Sequence, residues 1–393
     1  MPGYSFTLDD IAYLTGPSGE QALERAAARP LTEASLLADI GWAKTHFGDH
    51  AAAVVETVLL RRRAAAKFAE ADSWLFTDEA LQQATAAPVA AHRARRLARR
   101  RVHDVTCSIG TEVAALADSA ELVIGSDLDP VRLAMARHNL RDRASVLLCR
   151  ADALRPVSTG TAVVADPARR SGGRRRFDPR DYTPPLDALL AVHRGRDLAV
   201  KCAPGIDFDA VTRMGFDGEI EVVSAGGGVR EACLWSAGLA EPGVRRRATL
   251  LDRGEQVTDA DPDDCPVAEP GRWIIDPDGA VVRAGLVRHW AARHGLWQLD
   301  PAIAYLSGDR LPDGVRGFEV LETLGYSEKR LRGALAGHDA GAVEILVRGV
   351  DVDPDALRRR LRLRCSARLS VVITRIGPKG ASRATAFICR PSR

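Results

Sequence analysis

Four aspartates stand at the ends of short apolar runs between residues 100 and 170. Asp104 stands in VHDVTC, Asp127 in ELVIGSDLD, Asp152 closes SVLLCRAD and Asp166 follows TAVVA. A carboxylate at the carboxyl end of a strand can accept both hydroxyls of a ribose or the amino group of an adenine. Open α/β sheets bind their ligands at that end. Four acids in order, with helical patterns between them, point to a nucleoside-bearing ligand. Between the first two lies Cys107-Ser108-Ile109-Gly110-Thr111. Gly110 allows a tight turn there that turns backbone N–H groups towards a ligand. There is no G-x-G-x-x-G and no lysine-bearing phosphate loop, which argues against NAD and ATP.

Two further strand ends carry reactive groups. One is Asp166-Pro167-Ala168-Arg169, the other Lys201-Cys202-Ala203-Pro204. Asp166 could orient an acceptor amine. Cys202 could act as a nucleophile, although a cysteine on a strand is usually a small buried hydrophobe. Lys201 beside it could stabilise a thiolate or meet a phosphate.

The elements that must place these residues follow from hydrophobic periodicity. Residues 1–95 read as helices. Ser18 with Gln21 has the form of a capping box and Thr32 could cap the next helix. Pro88 divides WLFTDEALQQATAAPVAAHRARRLARRR into two helices. From 96 to 240 strands alternate with helices, which implies a parallel sheet covered on both faces. EIEVVSA and REACLWSAG, joined by Gly226-Gly227-Gly228, predict an antiparallel hairpin at its end. Residues 241–280, rich in Asp, Pro and Gly, read as a linker with one or two short strands. Residues 281–393 read as a further α/β unit, with helices near 283–294 and 353–360 and strands at VEILVRG, LSVVITRIG and ATAFICR.

Composition narrows the class. The 393 residues carry a net charge of +3 and are 46% hydrophobic. This is a folded multidomain chain, not a charged tail or a disordered one. Seven scattered cysteines without a C-x-x-C pair are neither a disulfide framework nor a zinc site, so no metal is expected and a reducing compartment is. The opening MPGYSFTLDD has no basic and apolar leader pattern and no run reaches 18 apolar residues, so a cytoplasmic location without a membrane span is expected. Lysine occurs only at 44, 67, 201, 329 and 379, so Arg supplies nearly all of the 55 basic residues. A GC-rich genome produces that bias, but the clusters at 61–63, 92–101, 169–176, 245–247 and 358–364 also suit phosphate.

With these motifs in place, the chain resembles a class I S-adenosylmethionine-dependent methyltransferase. DVTCSIGTEVAALA resembles the D-L-T-C-G-I-G-G-D-A-x-A-L-A form of the cofactor loop. VIGSDLDPVRLAMARHNL resembles the ribose-binding segment, and AAAKFAEADSWLFTDEALQQATAAPVAAHRARRL the lead-in of trimethylguanosine-synthase-like enzymes. Ser108 and Thr111 replace usual glycines. The segment LRGALAGHDAGAVEILVRGVDVDPDALRRRLRLRCSARLSVVITRIG resembles the THUMP-like domain found behind such enzymes. The resemblance implies S-adenosyl-L-methionine as cofactor. Asp104 and Gly110 would lie at its methionine end, Asp127 at the ribose and Asp152 at the adenine, with Cys107, Ser108, Leu128 and Ala153 also among the cofactor-binding residues. Asp166, Pro167 and Arg169 are the candidate catalytic loop.

The expected fold is α/β. A helical region (1–95) precedes a Rossmann-like methyltransferase sheet (96–240), then the linker (241–280) and a THUMP-like α/β domain (281–393). The expected activity is methylation of a base nitrogen of RNA, with RNA as partner. D-P-A-R also resembles the loop of RNA uracil-5-methyltransferases, where a cysteine adds at C6 so that C5 can attack, and Cys202 would be that nucleophile. A small-molecule or protein methyltransferase, or a non-catalytic RNA-binding protein with a decayed cofactor pocket, are the other readings.

Overall fold

The computed structural model describes residues 3–169, 181–377 and 382–392. The chain forms two compact units, Met1–Ala225 with Arg230–Pro242, and Gly226–Val229 with Gly243–Arg393. No helix among the described residues is long and apolar enough to cross a membrane.

The first unit opens with helices α1 (Leu8–Leu14), α2 (Pro17–Ala27), α3 (Leu36–Phe47), α4 (Ala51–Ala64), α5 (Asp78–Gln83) and α6 (Ala87–Arg96). The capping box that forms is at α1. There the Asp10 N–H donates to Thr7 Oγ1 at 3.1 Å and the Thr7 N–H to Asp10 Oδ2 at 2.9 Å. The box expected at Ser18 does not form. Pro17, whose fixed φ suits a first helical position, opens α2 one residue earlier behind Gly16. Thr32 is not a cap either, because α3 begins at Leu36 behind Ser35. Pro88 does separate two helices, lying in the first turn of α6. Helix α4 buries Ala51, Ala53, Val54, Val55, Val58, Leu60 and Ala64, and α2 and α3 pack on it. The arginines that follow are spoken for within the fold. Arg61 Nε donates to the Trp74 carbonyl at 2.9 Å, Arg62 to the carbonyls of Ala27, Arg29 and Pro30, and Arg63 pairs with Asp78 at 2.7 Å.

The sheet alternates as the sequence predicts: β1 (Arg101–Asp104), α7 (Thr111–Ala117), β2 (Leu122–Asp127), α8 (Pro130–Asn139), β3 (Val146–Arg150) and β4 (Ala162–Ala165). A two-residue pair, β5 (Ala168–Arg169) and β6 (Tyr182–Thr183), precedes α9 (Leu186–Val192), β7 (Leu198–Cys202), α10 (Phe208–Arg213), β8 (Gly218–Ala225) and β9 (Gly228–Ser236). In this unit the strands run in the order β8-β9-β7-β4-β1-β2-β3. The pairs from β7 to β3 are parallel and β9 is antiparallel to β7, as the hairpin reading requires. From β1 the chain first winds out to β2 and β3, then returns to β4 on the other side. That reversal opens a crevice at the carboxyl ends of β1 and β4.

Helix α6 is bound to the hairpin by charge. Arg93 pairs with Glu112 at 2.5 Å and also meets Glu231. Arg96 reaches Glu219 at 2.7 Å and Glu221 at 2.9 Å, and lies 4.0 Å from the centre of the Trp235 ring. His92 Nε2 lies 2.7 Å from Glu221. Arg93 and all four glutamates are buried. Of the 92–101 cluster, His92, Arg93 and Arg96 are thus consumed inside the protein, while Arg95, Arg99, Arg100 and Arg101 are exposed, Arg100 pairing with Asp197 at 2.7 Å.

The second unit begins with the hairpin β10 (Arg246–Leu250) and β11 (Glu255–Thr258), followed by β12 (Trp273–Ile275), α11 (Gly279–Ala284) and α12 (Val287–Arg293). Residues 243–280 are therefore part of this unit and hold three strands, where a linker with one or two short strands was expected over 241–280. The remainder is β13 (Trp297–Gln298), β14 (Leu306–Gly308), β15 (Gly317–Gly325), α13 (Glu328–Gly337), β16 (Ala340–Arg348), α14 (Pro354–Leu361), β17 (Ala367–Ile376) and β18 (Arg383–Pro391). These strands form a sheet in the order β13-β14-β12-β15-β18-β17-β16. Alternation along β17 puts Val371 and Ile373 in one core with Leu331, Leu335 and Leu357, and Val372 in the other with Phe318 and Phe387.

Removing Arg93 leaves Glu112 and Glu231 buried without their cation. Arg93→Ala is expected to cost roughly 3–5 kcal/mol in urea denaturation. Arg63→Ala, which breaks an exposed pair, is expected to cost below about 1 kcal/mol. Equal losses would show that the buried network carries no special share of stability.

Candidate functional site

At the switch point the first unit holds a cavity of about 660 Å³. Its walls bring together Asp104, Cys107, Ser108, Asp127, Leu128, Asp152, Ala153 and Asp166, seven of them from the expected cofactor site and the last from the expected catalytic loop. Gly110 lies behind the wall and shapes it. Its φ is +90°, and a Cβ there would stand 2.6 Å from Leu140 Cδ1. Ser108 is also left-handed, with φ +50°. Thr111 is the ordinary first residue of α7.

Each acid is held differently. Asp127 accepts the Ser108 N–H at 3.0 Å through Oδ2 and the Asp129 N–H at 2.9 Å through Oδ1. The loop and the acid therefore fix each other. Asp152 Oδ1 accepts the Leu154 N–H at 2.9 Å, and the carbonyl of the neighbouring Ala153 lies 2.9 Å from His193 Nε2. Asp104 is buried and accepts the Thr106 N–H at 3.0 Å. Burial, with the nearby charges of Glu112, Asp166 and Asp127, pushes its carboxyl up to about 8. Burial likewise pushes the Cys107 thiol up, so it is an inert wall residue. Leu128 is 57% exposed, an apolar surface left open beside the acids.

A second cavity of about 520 Å³ is lined by Lys67, Asp166, Pro167, Tyr182, Lys201 and Cys202 among others. It shares Gln83, Ala84, Thr85, Asp166 and Ala168 with the first. Pro167 lines only this second space, and Cys202 is buried in its wall. Lys201 Nζ lies 2.6 Å from Asp166 Oδ2, so its partner is the carboxylate. The Asp166 N–H donates to Thr106 Oγ1 at 2.7 Å. Of Arg169 only the backbone, in β5, is described. The rest of its cluster, 170–176, lies outside the described residues.

Several site residues were not singled out from the sequence. Thr106 connects Asp104 to Asp166, and its place inside the strand end DVTC was the available signal. Asn139 bonds the Leu75 N–H at 2.7 Å and the carbonyls of Leu75 and Ile109 at 3.0 Å, clipping the N-terminal region to the cofactor-type loop. Helix α5 supplies Glu79, Ala80 and Gln83 to the first cavity, and Glu79 pairs there with Arg132 at 2.6 Å.

Comparison with known proteins adds the following. Residues 315–391 match the family described as THUMP domain-like, and residues 7–64 match a domain of unknown function. The chain is 67% identical, over 357 residues, to an S-adenosylmethionine-dependent methyltransferase of Mycobacterium tuberculosis described as uncharacterised, in strain CDC 1551 / Oshkosh and again in strain H37Rv. Each match covers 89% of this chain and 100% of the relative. A crystal structure assigned as a methyltransferase, from Porphyromonas gingivalis W83, superposes with a TM-score of 0.79 at 19% identity. It covers 99% of this chain and 100% of that one.

The Asp104 carboxyl gives the fold a specific pH dependence. The folded protein keeps its proton up to about pH 8, while the unfolded chain releases it above its ordinary 3.8. Between those values only the unfolded state is ionised, so stability falls as pH rises, by at most about 1.4 kcal/mol per pH unit from this group. Above the upper value both states are ionised and the slope vanishes. Urea denaturation at several pH values should show a shallower decline in Asp104→Asn than in the unaltered protein. Parallel declines would mean that Asp104 is ionised when folded.

Proposed function

The chain belongs to the S-adenosylmethionine-dependent methyltransferases, and from that premise we propose that it methylates a base nitrogen of RNA, with Asp166 orienting the acceptor. The residues around the first cavity fit the cofactor. Acids crowd one end, which suits a sulfonium cation. Asp127 is held by two backbone N–H groups with lone pairs to spare for ribose hydroxyls, and Leu128 offers bare apolar surface for a base. Asp104, Cys107, Ser108 and Gly110 would enclose the methionine end, Asp127 the ribose, and Leu128, Asp152 and Ala153 the adenine. The cofactor supplies an activated methyl group on sulfur.

The observation that carries the acceptor reading is that the two cavities meet at Asp166. An acceptor in the second would reach the methyl group past that carboxylate. Alignment in a closed pocket is most of what such a displacement needs. For RNA as the substrate, the support is the THUMP-like match and the arginines of α14 and beyond. Arg358 and Arg360 are engaged, with Asp355 at 2.5 Å and Glu328 at 2.6 Å. Arg359, Arg362, Arg364 and Arg368 are exposed and have no ion pair among the described residues. Cys202 in the second cavity favours one other reading, methylation of pyrimidine C5.

Three outcomes are expected. Asp127→Ala should weaken binding of S-adenosylmethionine, measured by calorimetry, about ten- to a hundred-fold, from roughly 1.5–3 kcal/mol of charge-assisted hydrogen bonding. Asp166→Asn should lower methyl transfer to RNA by about a hundred-fold or more, while Cys202→Ser changes it little. A 5-fluoropyrimidine RNA that traps a denaturation-resistant adduct at Cys202 would establish the C5 reading instead. Finally, RNA affinity should fall steeply with salt, and Arg362→Glu with Arg364→Glu should flatten that slope. Absence of RNA binding at low salt would remove RNA as the substrate. Mass spectrometry of RNA nucleosides from a strain lacking the protein would identify the modified position.

A further inference from the structure

Asp166 stands on the wall common to both cavities, and its carboxylate is held from one side only. Lys201 Nζ donates to Oδ2 at 2.6 Å and also to the Gln83 carbonyl at 3.3 Å. Gln83 belongs to α5 and lines both cavities, so the ammonium joins the ends of β4 and β7 to the helical wall. The Lys201 side chain is only 16% exposed. The backbone of Asp166 is fixed separately by Thr106 Oγ1. No partner binds Asp166 Oδ1 among the described residues.

The choice of lysine is informative in a chain whose basic residues are otherwise nearly all arginine. An ammonium is a compact donor whose protons point in separate directions, so it can serve one carboxylate oxygen and a carbonyl at once. A guanidinium is a planar fork that matches a carboxylate with two parallel bonds and engages both oxygens. At this position arginine would keep the charge and occupy Oδ1.

We propose that Lys201 is the positioning residue for methyl transfer, engaging Asp166 Oδ2 so that Oδ1 alone is presented to the acceptor nitrogen. This rests on the reading of Asp166 given above. In that step the nitrogen lone pair forms the N–C bond while the C–S bond breaks and neutral S-adenosylhomocysteine leaves. The nitrogen then gives its extra proton to Asp166 Oδ1, which passes it to water. Lys201 exchanges neither bond nor proton in this step and acts through Asp166.

The test uses the full chain, with labelled S-adenosylmethionine and total RNA from a strain lacking the protein. K201M and K201R should bind S-adenosylhomocysteine within about two-fold of the unaltered protein and melt near its temperature. Both should lose ten-fold or more in kcat with little change in KM. Loss in K201R separates positioning from simple charge balance, which arginine would preserve. Full turnover in either variant overturns the proposal, and so does loss confined to cofactor affinity. Crystals of the two variants supply a readout without substrate. The Asp166 carboxylate should turn in K201M and be engaged through both oxygens in K201R; an unmoved carboxylate in K201M, or one engaged through Oδ2 alone in K201R, overturns the proposal. If the unaltered protein labels no RNA, the RNA reading fails, and the crystals still decide the role of Lys201.

Discussion

Four carboxyl groups at the ends of adjacent parallel strands must share one small volume, and the site is organised by how their repulsion is relieved. Water cannot do it for a buried group such as Asp104. Asp127 is relieved by two backbone N–H groups, Asp152 by a third, and Asp166 by the ammonium of Lys201. Asp104 has the Thr106 N–H, but burial and its acidic neighbours outweigh it, and it holds its proton to about pH 8. Each solution has a geometric consequence. Backbone donors to Asp127 tie the loop after β1 to the end of β2. The ammonium ties β7 to β4. The proton on Asp104 leaves a carboxylic acid that a bound cation would help to ionise. An arrangement so rich in acids favours a positively charged ligand over an anionic one, consistent with the absence of a phosphate-binding glycine signature.

The N-terminal helices serve the same volume from the other side. Helix α5 forms a wall of both cavities, and Asn139 clips Leu75, just ahead of it, to Ile109 of the loop. Helix α6 cannot slide along the sheet without parting Arg93 and Arg96 from buried glutamates. Such pairs add modestly to stability compared with an apolar replacement, but separating them is costly. Their value here is register: they fix where α6 lies against the β8–β9 hairpin. Since α5 precedes α6 by three residues, they also restrict where the cavity wall can lie.

The strand–helix alternation from 96 to 240 was legible because the periods of two and 3.6 are strong in short, uniform runs. The acids were legible because each closes such a run. Thr106, Lys201 and Asn139 were visible as residues but not as partners, since their bonds to Asp166, Leu75 and Ile109 span 30 to 64 positions. The helix starts at Ser18 and Thr32 were misread because a proline at the first helical position competes with a capping hydroxyl, and because a turn preceded α3. Residues 243–280 looked like a linker from their Asp, Pro and Gly content. Of the strands there, β10 and β11 pair locally as a hairpin, but β12 pairs with β14 and β15, partners distant in sequence that no local pattern announces.

The arginine bias illustrates why clusters are weak evidence until each side chain is followed. Arg61 and Arg62 satisfy backbone carbonyls that helix ends and turns would otherwise leave bare, which a guanidinium with five donors does well. Arg93 and Arg96 neutralise buried acids. After these are set aside, exposed arginines without an ion pair among the described residues include Arg95, Arg99 and Arg101 in the first unit, and Arg359, Arg362, Arg364 and Arg368 in and beyond α14. That helix buries Leu357 and Leu361 and turns its charges outward, so the same amphipathic pattern that packs it against β16 also presents the arginines to solvent. The charge on this face is thus built into the packing of the second unit, while the first unit spends only part of its arginine charge on its own interior. A polyanion would therefore find free arginine contacts, among the described residues, on each unit, whereas the walls of the first cavity carry four aspartates and one arginine, Arg132, which is already paired with Glu79.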